Sequence, residues 1–394
     1  MTRIAHVSLG DLMAAKTGSV DPSKHQHEAF DLYSIPAFDR GAPEVADGSA
    51  IGSAKQVVEP QDVLLSKIVP HIRRTWVVGE DRGRRLIASG EWIVFRSSRA
   101  EPGYLRQVLR SDPFHVQFMQ TVAGVGGSLL RARPAQVARI SIPLPPPPEQ
   151  RRIAAILDQA DALRAKRREA LAQLDRLTQS IFIEMFGDQQ SQEWPIETIA
   201  DVAALHDGAI RTGPFGSQLL HSEFVADGVA VLGIDNAVAN EFRWGERRFI
   251  SEAKYRDLRR YTVRPGDVLI TIMGTCGRCA VVPDDIPVSI NTKHICCITL
   301  DAKKCRPEFL HAFFLRHPTA RAYLEQTSKG AIMSGLNMGL IKSMPISVPP
   351  LSLQQTFATR IQAVESLKAT HRAALAELDA LFASLQHRAF SGGL

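Results

Sequence analysis

The sequence predicts an α+β chain: two related globular blocks of mixed α/β structure, each built around a twisted sheet, joined by two long antiparallel helices that pair as a coiled coil. Three observations predict it. The chain repeats itself at an offset of about 205 residues. Each copy ends in a proline-rich break, Ile142 to Pro148 in the first and Ile346 to Pro350 in the second. A long stretch with apolar residues every seventh position follows each break.

The repeat is carried by separate blocks at nearly one offset. Val58-Glu-Pro-Gln-Asp-Val-Leu-Leu65 falls on Val263-Arg-Pro-Gly-Asp-Val-Leu-Ile270, Arg73 on Arg278, and Tyr104-Leu105 on Phe309-Leu310. With one residue removed, Pro145-Pro146 meets Pro349-Pro350 and Gln150 meets Gln354. Leu163, Arg168, Leu174, Asp175 and Leu177 then meet Leu367, Arg372, Leu378, Asp379 and Leu381. The period is too long for a solenoid and reads as a duplicated domain plus helix. It divides the 394 residues into blocks at 1–147 and 189–350 and helices at 148–188 and 351–394.

Within each block, Trp92–Phe95 and Ala280–Val282 read as strands between Gly, Pro and Asp turn clusters. One helix is expected near 104–120 and its twin near 307–326. The prolines then stop regular structure and suit the first turn of a following helix. Ser352 and Gln355 have capping-box spacing, and Glu149 places negative charge at the positive end of a helix dipole.

The long helices carry two heptad tracks each. Ile153, Ala160, Leu174 and Ile181 form one track of the first helix, and Ile156, Leu163, Ala170 and Leu177 its neighbour. In the second helix the tracks are Phe357, Val364, Leu378 and Leu385, then Leu367, Ala374 and Leu381. Such a seam needs a partner helix. Arg167 and His371 interrupt it at equivalent positions and read as snorkelling or register-setting residues.

Composition narrows the function. Hydrophobic residues make up 45% and charged residues 22%, which is ordinary for a folded chain. No apolar run reaches the ~18–20 residues of a membrane span, and Met1 to Gly10 lacks the apolar core of a signal peptide. Five cysteines, an odd number, do not suggest a disulfide framework. A cytoplasmic location without membrane contact is expected. The net charge is +6, and no block is a basic tail: residues 1–147 carry 18 Lys and Arg against 14 Asp and Glu, residues 189–350 carry 18 against 17. DNA binding would therefore use local clusters on a folded face.

The run Ile142-Pro-Leu-Pro-Pro-Pro-Pro-Glu-Gln-Arg-Arg-Ile-Ala-Ala-Ile-Leu157 resembles the junction of the specificity subunits of type I restriction–modification systems. So do Ile210-Arg-Thr-Gly-Pro-Phe-Gly-Ser-Gln-Leu219 and Gly266-Asp-Val-Leu-Ile-Thr-Ile-Met-Gly-Thr275. The resemblance covers the whole chain and its duplication. The first block lacks the Gly-Pro-Phe-Gly-Ser run, and Ser352-Leu-Gln-Gln355 replaces a more typical acidic residue followed by Gln. The resemblance implies two target-recognition domains, each reading half of a split, asymmetric DNA site. It implies helices that act as a ruler and dock two adenine methyltransferase (M) subunits, and restriction/translocase (R) subunits that join through them. It implies a subunit that catalyses nothing and holds no cofactor: S-adenosylmethionine belongs to the methyltransferase, ATP and Mg to the restriction subunit.

Side chains that reach base edges or phosphates on double-stranded DNA are the candidate contacts. In the first block these are the basic clusters Lys67, His71, Arg73 and Arg74, then Arg82, Arg84 and Arg85. Ser97, Ser98 and Arg99 join them, with Arg131 and Arg133 near Gly126 and Gly127. In the second block, Arg211, Thr212, Gly213, Ser217 and Gln218 form a turn-rich loop whose glycines let backbone approach a phosphate. Arg278, Lys293, and Lys329 with Asn337 in a second such loop complete the set.

Two other classes compete. A self-contained methyltransferase or nuclease of a type II-like system should show an Asp/Asn-Pro-Pro-aromatic run or a phosphate-binding Gly-x-x-x-x-Gly-Lys-Ser/Thr, and the prolines at 145–148 lack the acidic or amide residue and the aromatic. A coiled-coil interaction protein would show no DNA sequence preference. Cys276, Cys279, His294, Cys296 and Cys297 invite a zinc reading, but adjacent cysteines in an apolar run cannot splay as a knuckle, and buried thiols in a sheet are expected instead.

Overall fold

The protein is described here from a computed structural model, which describes residues 5–124, 130–187, 194–328, 336–391 and 393. The chain forms two compact units. The first comprises residues 1–169 and 373–394, the second residues 170–372. Each unit therefore contains one globular block, part of the first long helix (Pro147–Phe186) and part of the second (Leu351–Ser391).

In the first unit a five-stranded sheet runs in the order 19–20, 55–57, 85–88, 29–33, 44–47. Its 29–33 and 85–88 strands are parallel, with Phe30 beside Arg85 and Tyr33 beside Ala88. A three-stranded antiparallel sheet has 63–66 between 75–77 and 92–95. The strand His6–Ser8 pairs with Ser141–Pro143 just before the long helix.

The second unit repeats this plan. Its five-stranded sheet holds one parallel pair, 229–232 with 289–291. Strands 279–281, 268–271 and 295–298 repeat the antiparallel trio, extended by 210–212 to four strands. Ile196–Thr198 pairs with Pro345–Ser347 before the second long helix.

The helix expected late in each block is in fact two. Pro102–Arg110 is followed by Asp112–Met119, and Pro307–Arg316 by Pro318–Ser328. Pro113 and Pro318 explain both breaks, because a ring that bars the N–H bond is tolerated only in a first turn. Ser111 caps the helix in the first unit through Phe114 N–H at 3.4 Å.

The long helices contain 40 and 41 residues. Glu149 lies in the first turn of the first helix and pairs with Arg152 at 2.8 Å. The second helix begins at Leu351, so Ser352 stands inside the first turn rather than at the cap. Each entry into a long helix is held by a buried glutamine. Gln150 accepts from Glu101 N–H at 2.7 Å and donates to the carbonyls of Arg99 and Pro145. Gln354 does the same with Arg306 N–H at 2.8 Å and the carbonyls of Lys304 and Pro349.

The helices run antiparallel within each unit. In the first, Arg164 bonds Asp379 at 2.6 Å and its guanidinium lies 4.2 Å from the Phe382 ring. In the second, Lys368 meets Asp175 at 2.8 Å and Arg360 meets Glu184 at 3.4 Å, so one helix ascends as the other descends.

The seam departs from the two-track expectation. Ile153, Ile181, Phe357 and Val364 are buried, and Ile156, Leu174, Leu378 and Leu385 are half-buried. Leu163, Leu177, Leu367 and Leu381 instead stand 45%, 45%, 52% and 51% exposed. The buried stripe advances by four residues where the heptad advances by three: it runs Ile153, Leu157, Ala160, Arg164 in one helix and Phe357, Ile361, Val364, Lys368 in the other. Its cations hide it from an apolar count.

Candidate nucleic-acid interface

Strand directions gather four loops at one end of the second block. Thr212 lies beside Cys296, Thr271 beside Ile295 and Leu232 beside Asn291. Loops 213–218, 233–248, 272–278 and 292–294 therefore meet there. Thr292 joins two of them, donating to Leu232 O at 2.9 Å and accepting from Gly213 N–H at 3.2 Å. Ile272 N–H bonds His294 O at 2.9 Å. A Cβ on Gly213 would overlap the Asn291 carbonyl, so only glycine lets the first loop cross here.

The 233–248 loop is pinned by Asp235. Its carboxylate bonds Arg248 at 3.0 Å and is packed so closely by Gly233 and Gly245 that neither position could carry a side chain without displacing it. The pinned loop presents the partly exposed ring of Trp244, with the Arg247 guanidinium 4.8 Å from its centroid and Phe242 edge-on at 5.3 Å. Arg278 and Ser217 are exposed on neighbouring loops, and Lys293 is half-buried. Burial, then the charges of Lys293 and Arg248, hold His294 below the usual imidazole range. A neutral imidazole among cations and an aromatic ring suits stacking on bases and hydrogen bonding to their edges or to phosphates.

Several expected contacts lie elsewhere. Arg211 is not a surface donor: it is 8% exposed and bonds the buried Asp267 at 2.6 Å, with further bonds to Thr299 Oγ1 and the Thr262 and Gly208 carbonyls. An unpaired Asp267 carboxylate at that depth would be far costlier than an absent DNA contact. Thr212 is half-buried at a strand end, and Gln218 spends its carbonyl on Phe215 N–H and the Tyr261 hydroxyl. Asn337 is exposed but caps the short helix 338–342 through Leu340 N–H at 2.9 Å. Lys329, Gly126 and Gly127 lie outside the described residues.

The first block gathers the corresponding end from loops 34–43, 67–74 and 89–91. Lys67 N–H bonds Glu91 O at 3.0 Å, Ile68 bridges Arg131, and Ala132 N–H bonds Lys67 O at 2.8 Å. This brings half-buried Lys67 together with the exposed His71, Arg73 and Arg131, with exposed Arg133 close behind in the chain. Arg73 pairs with Asp112 at 2.6 Å. Arg74 departs from expectation: it is buried and forms a two-pronged bond to Asp39 at 2.8 and 2.9 Å, fastening helix Ile35–Arg40 to the loop.

The remaining expected cations of this block sit at the opposite end of its strands. Arg84 is committed to the buried carboxylate of Asp31 at 2.7 Å, and Arg85 pairs with Glu28 at 3.0 Å. Arg82 is exposed beside them. Arg99, also exposed, lies past the far end of strand 92–95, near the start of the long helix.

Cys279, on strand 279–281, and Cys296 and Cys297, on strand 295–298, are fully buried on either side of strand 268–271, and burial pushes all three thiols up, Cys296 to about 12. No His, Cys, Asp or Glu group among the described residues has the arrangement of a metal site. Nor is any described helix long and apolar enough to cross a membrane. Sequence reading missed Trp244, Arg247 and Arg248, although Phe242-Arg-Trp-Gly-Glu-Arg-Arg248 interleaves aromatic and basic residues as a nucleic-acid loop does.

The type I restriction modification DNA specificity domain model matches residues 114–174 and 250–380. The EcoBI specificity subunit of Escherichia coli is 28% identical over 174 residues, 43% of this chain and 36% of that protein. The EcoKI specificity subunit of E. coli K12 is 23% identical over 318 residues, 74% of this chain and 65% of that one. The chain thus spans between about a third and two thirds of these curated relatives. A type I restriction-modification S subunit from M. genitalium has a similar fold, with a TM-score of 0.61 at 11% identity over 99% of this chain and 97% of that one. So does a chain from a structure of type I R-M complex assembly and conformational transition, with a TM-score of 0.55 at 22% identity, covering 99% and 98%. By these matches the chain carries the type I restriction modification DNA specificity domain over nearly half of its length and is similar to the specificity subunits of type I restriction–modification systems.

Proposed function

We propose that this chain is the sequence-reading component of a type I restriction–modification complex, and that the loop end of each block reads one tract of a bipartite, asymmetric DNA site. What carries the reading is the convergence, at one end of the second block, of Trp244, Arg247, Arg278 and Lys293 on three loops. The loops of the first block end at Lys67, His71, Arg73 and Arg131, a different set, so the two tracts differ in sequence.

The chain contributes no catalytic group in this reading. Two M subunits supply methyl transfer with S-adenosylmethionine, and R subunits joined through them supply ATP- and Mg-dependent cleavage. The leucines half exposed along the middle of the long helices are the docking points: Leu163 and Leu381 in the first unit, Leu177 and Leu367 in the second. Leucines left half in water gain from burial against partner helices.

Salt dependence of DNA binding by the assembled complex tests the assignment. Arg278→Ala should lower the slope of log affinity against log salt by about one unit if it holds a phosphate, or cost about 1–3 kcal/mol at one base position if it reads an edge. A variant that shows neither effect would remove Arg278 from the interface.

A further inference from the structure

The second unit contains a cavity of about 580 Å³, where side chains bridge the corresponding helices of the first unit. In the first unit the helix 102–110 is tied to the long helix by Arg106 and Gln107 on Asp158, both at 2.5 Å, and by Arg110 on Asp161 at 2.9 Å. The corresponding residues of the second unit are His311, Ala312, Leu315 and Gln362, with Glu365 for Asp161. None of those three ties exists there. His311 turns instead to the carbonyls of Asn240 and Cys279 at 2.9 and 3.1 Å. Phe382, which fills the space beside Arg164 in the first unit, is replaced by Thr178. Shorter side chains and missing bridges leave the gap open.

The charges around the gap are unevenly satisfied. Lys368 is held by Asp175 and Glu365, each at 2.8 Å, while Arg372 pairs with Glu241 at 2.9 Å and Arg243 pairs with the same carboxylate. Arg316, whose place in the first unit is taken by Ser111, is the exception. It makes no hydrogen bond or ion pair among the described residues, and its Nε is buried without a partner. Burial holds its guanidinium below the usual arginine range, with Asp175 and Glu365 pulling the other way. A half-buried cation without a partner is costly unless something supplies the acceptor.

We propose that this cavity binds a small organic oxyanion, a carboxylate or phosphate ester, whose charged end bonds Arg316 and whose body lies against Phe242, Leu315 and Phe357. The volume exceeds what a bare ion needs and falls within the roughly 300–1,000 Å³ of small-ligand sites. The planar guanidinium fork selects a planar or tetrahedral oxyanion. The apolar walls favour one with an apolar or aromatic body. The inference does not depend on DNA recognition.

Calorimetric titration of the full chain with phenyl phosphate, and separately with inorganic phosphate, tests it. Phenyl phosphate should bind more tightly than phosphate. Arg316→Gln should weaken it by about tenfold or more. Leu315→Arg, which installs the residue of the first unit and refills the gap, should weaken it likewise. Binding of equal strength in Arg316→Gln and Leu315→Arg, or no binding to the wild-type chain at millimolar phenyl phosphate, would overturn the proposal.

Discussion

Asp62 and Asp267 occupy the same place in the two copies, yet each takes its arginine from a different part of its unit. Both carboxylates are 1% exposed, and both accept the N–H of the residue three before, Glu59 or Arg264, at 2.9 Å. Asp62 is neutralised by Arg96, from the end of a strand that follows it, at 2.8 and 2.7 Å. Asp267 is neutralised by Arg211, from a strand that precedes it, and gains Thr299 Oγ1 at 2.7 Å. The duplication kept the acid and its turn but not the source of the cation. What is constrained is charge balance at a buried carboxylate, not the identity of the donor's position.

That contrast can be broken most forcefully at the acid. Asp267→Ala strands Arg211, 8% exposed, and should cost about 3–5 kcal/mol in urea denaturation of the full chain. Asp62→Ala leaves Arg96 still paired with Glu59 at 2.6 Å and 31% exposed, so it should cost less, about 2 kcal/mol. Equal losses would show that the depth of the arginine does not matter.

The glutamine staples sharpen the comparison from the other side, because here nothing diverged. Gln150→Ala and Gln354→Ala each remove three bonds to buried backbone and should each cost about 2–3 kcal/mol. Hydrogen exchange resolved by unit should show each loss confined to its own unit.

Smaller differences are expected between the helix clamps. Arg164 bonds Asp161 and Asp379 and also lies over Phe382, whereas Lys368 has only Glu365 and Asp175. Both clamps rest on carboxylates that are substantially exposed, so Lys368→Ala should cost about 1 kcal/mol and Arg164→Ala somewhat more, the excess being its stacking. Weakest of all is the turn before the acid. Gln61 and Gly266 hold φ of 70° and 77° at equivalent positions. Gly266→Ala should cost about 1 kcal/mol, whereas Gln61→Gly should be close to neutral, strain relief offsetting added chain entropy.

These contrasts also explain what the sequence could and could not disclose. The duplication was legible because Val58–Leu65 and Val263–Ile270 retain both the apolar run and the acidic turn. The long helices were legible from proline breaks and period. The buried face was not, because Arg164 and Lys368 sit inside it and a hydrophobic pattern passes over interior cations. Arg211 read as a surface donor because its partner Asp267 lies 56 residues away and only the folded sheet brings them together. Arg74 misled for the same reason, through Asp39. Pro113 and Pro318 did announce the helix breaks. Loop 233–248 was hidden by a different cause: its position at the loop end follows from parallel pairing of 229–232 with 289–291, a long-range register that local composition does not report.

The central claim is that each loop end reads its own tract of DNA. Mapping methylated adenines in cells that co-express this chain with a methyltransferase subunit, for wild type and for Trp244→Ala with Arg278→Ala, measures it directly. Two unlike tracts separated by unread bases are expected, with the double variant relaxing one tract and leaving the other intact. A single uninterrupted tract, or equal relaxation of both, would contradict it.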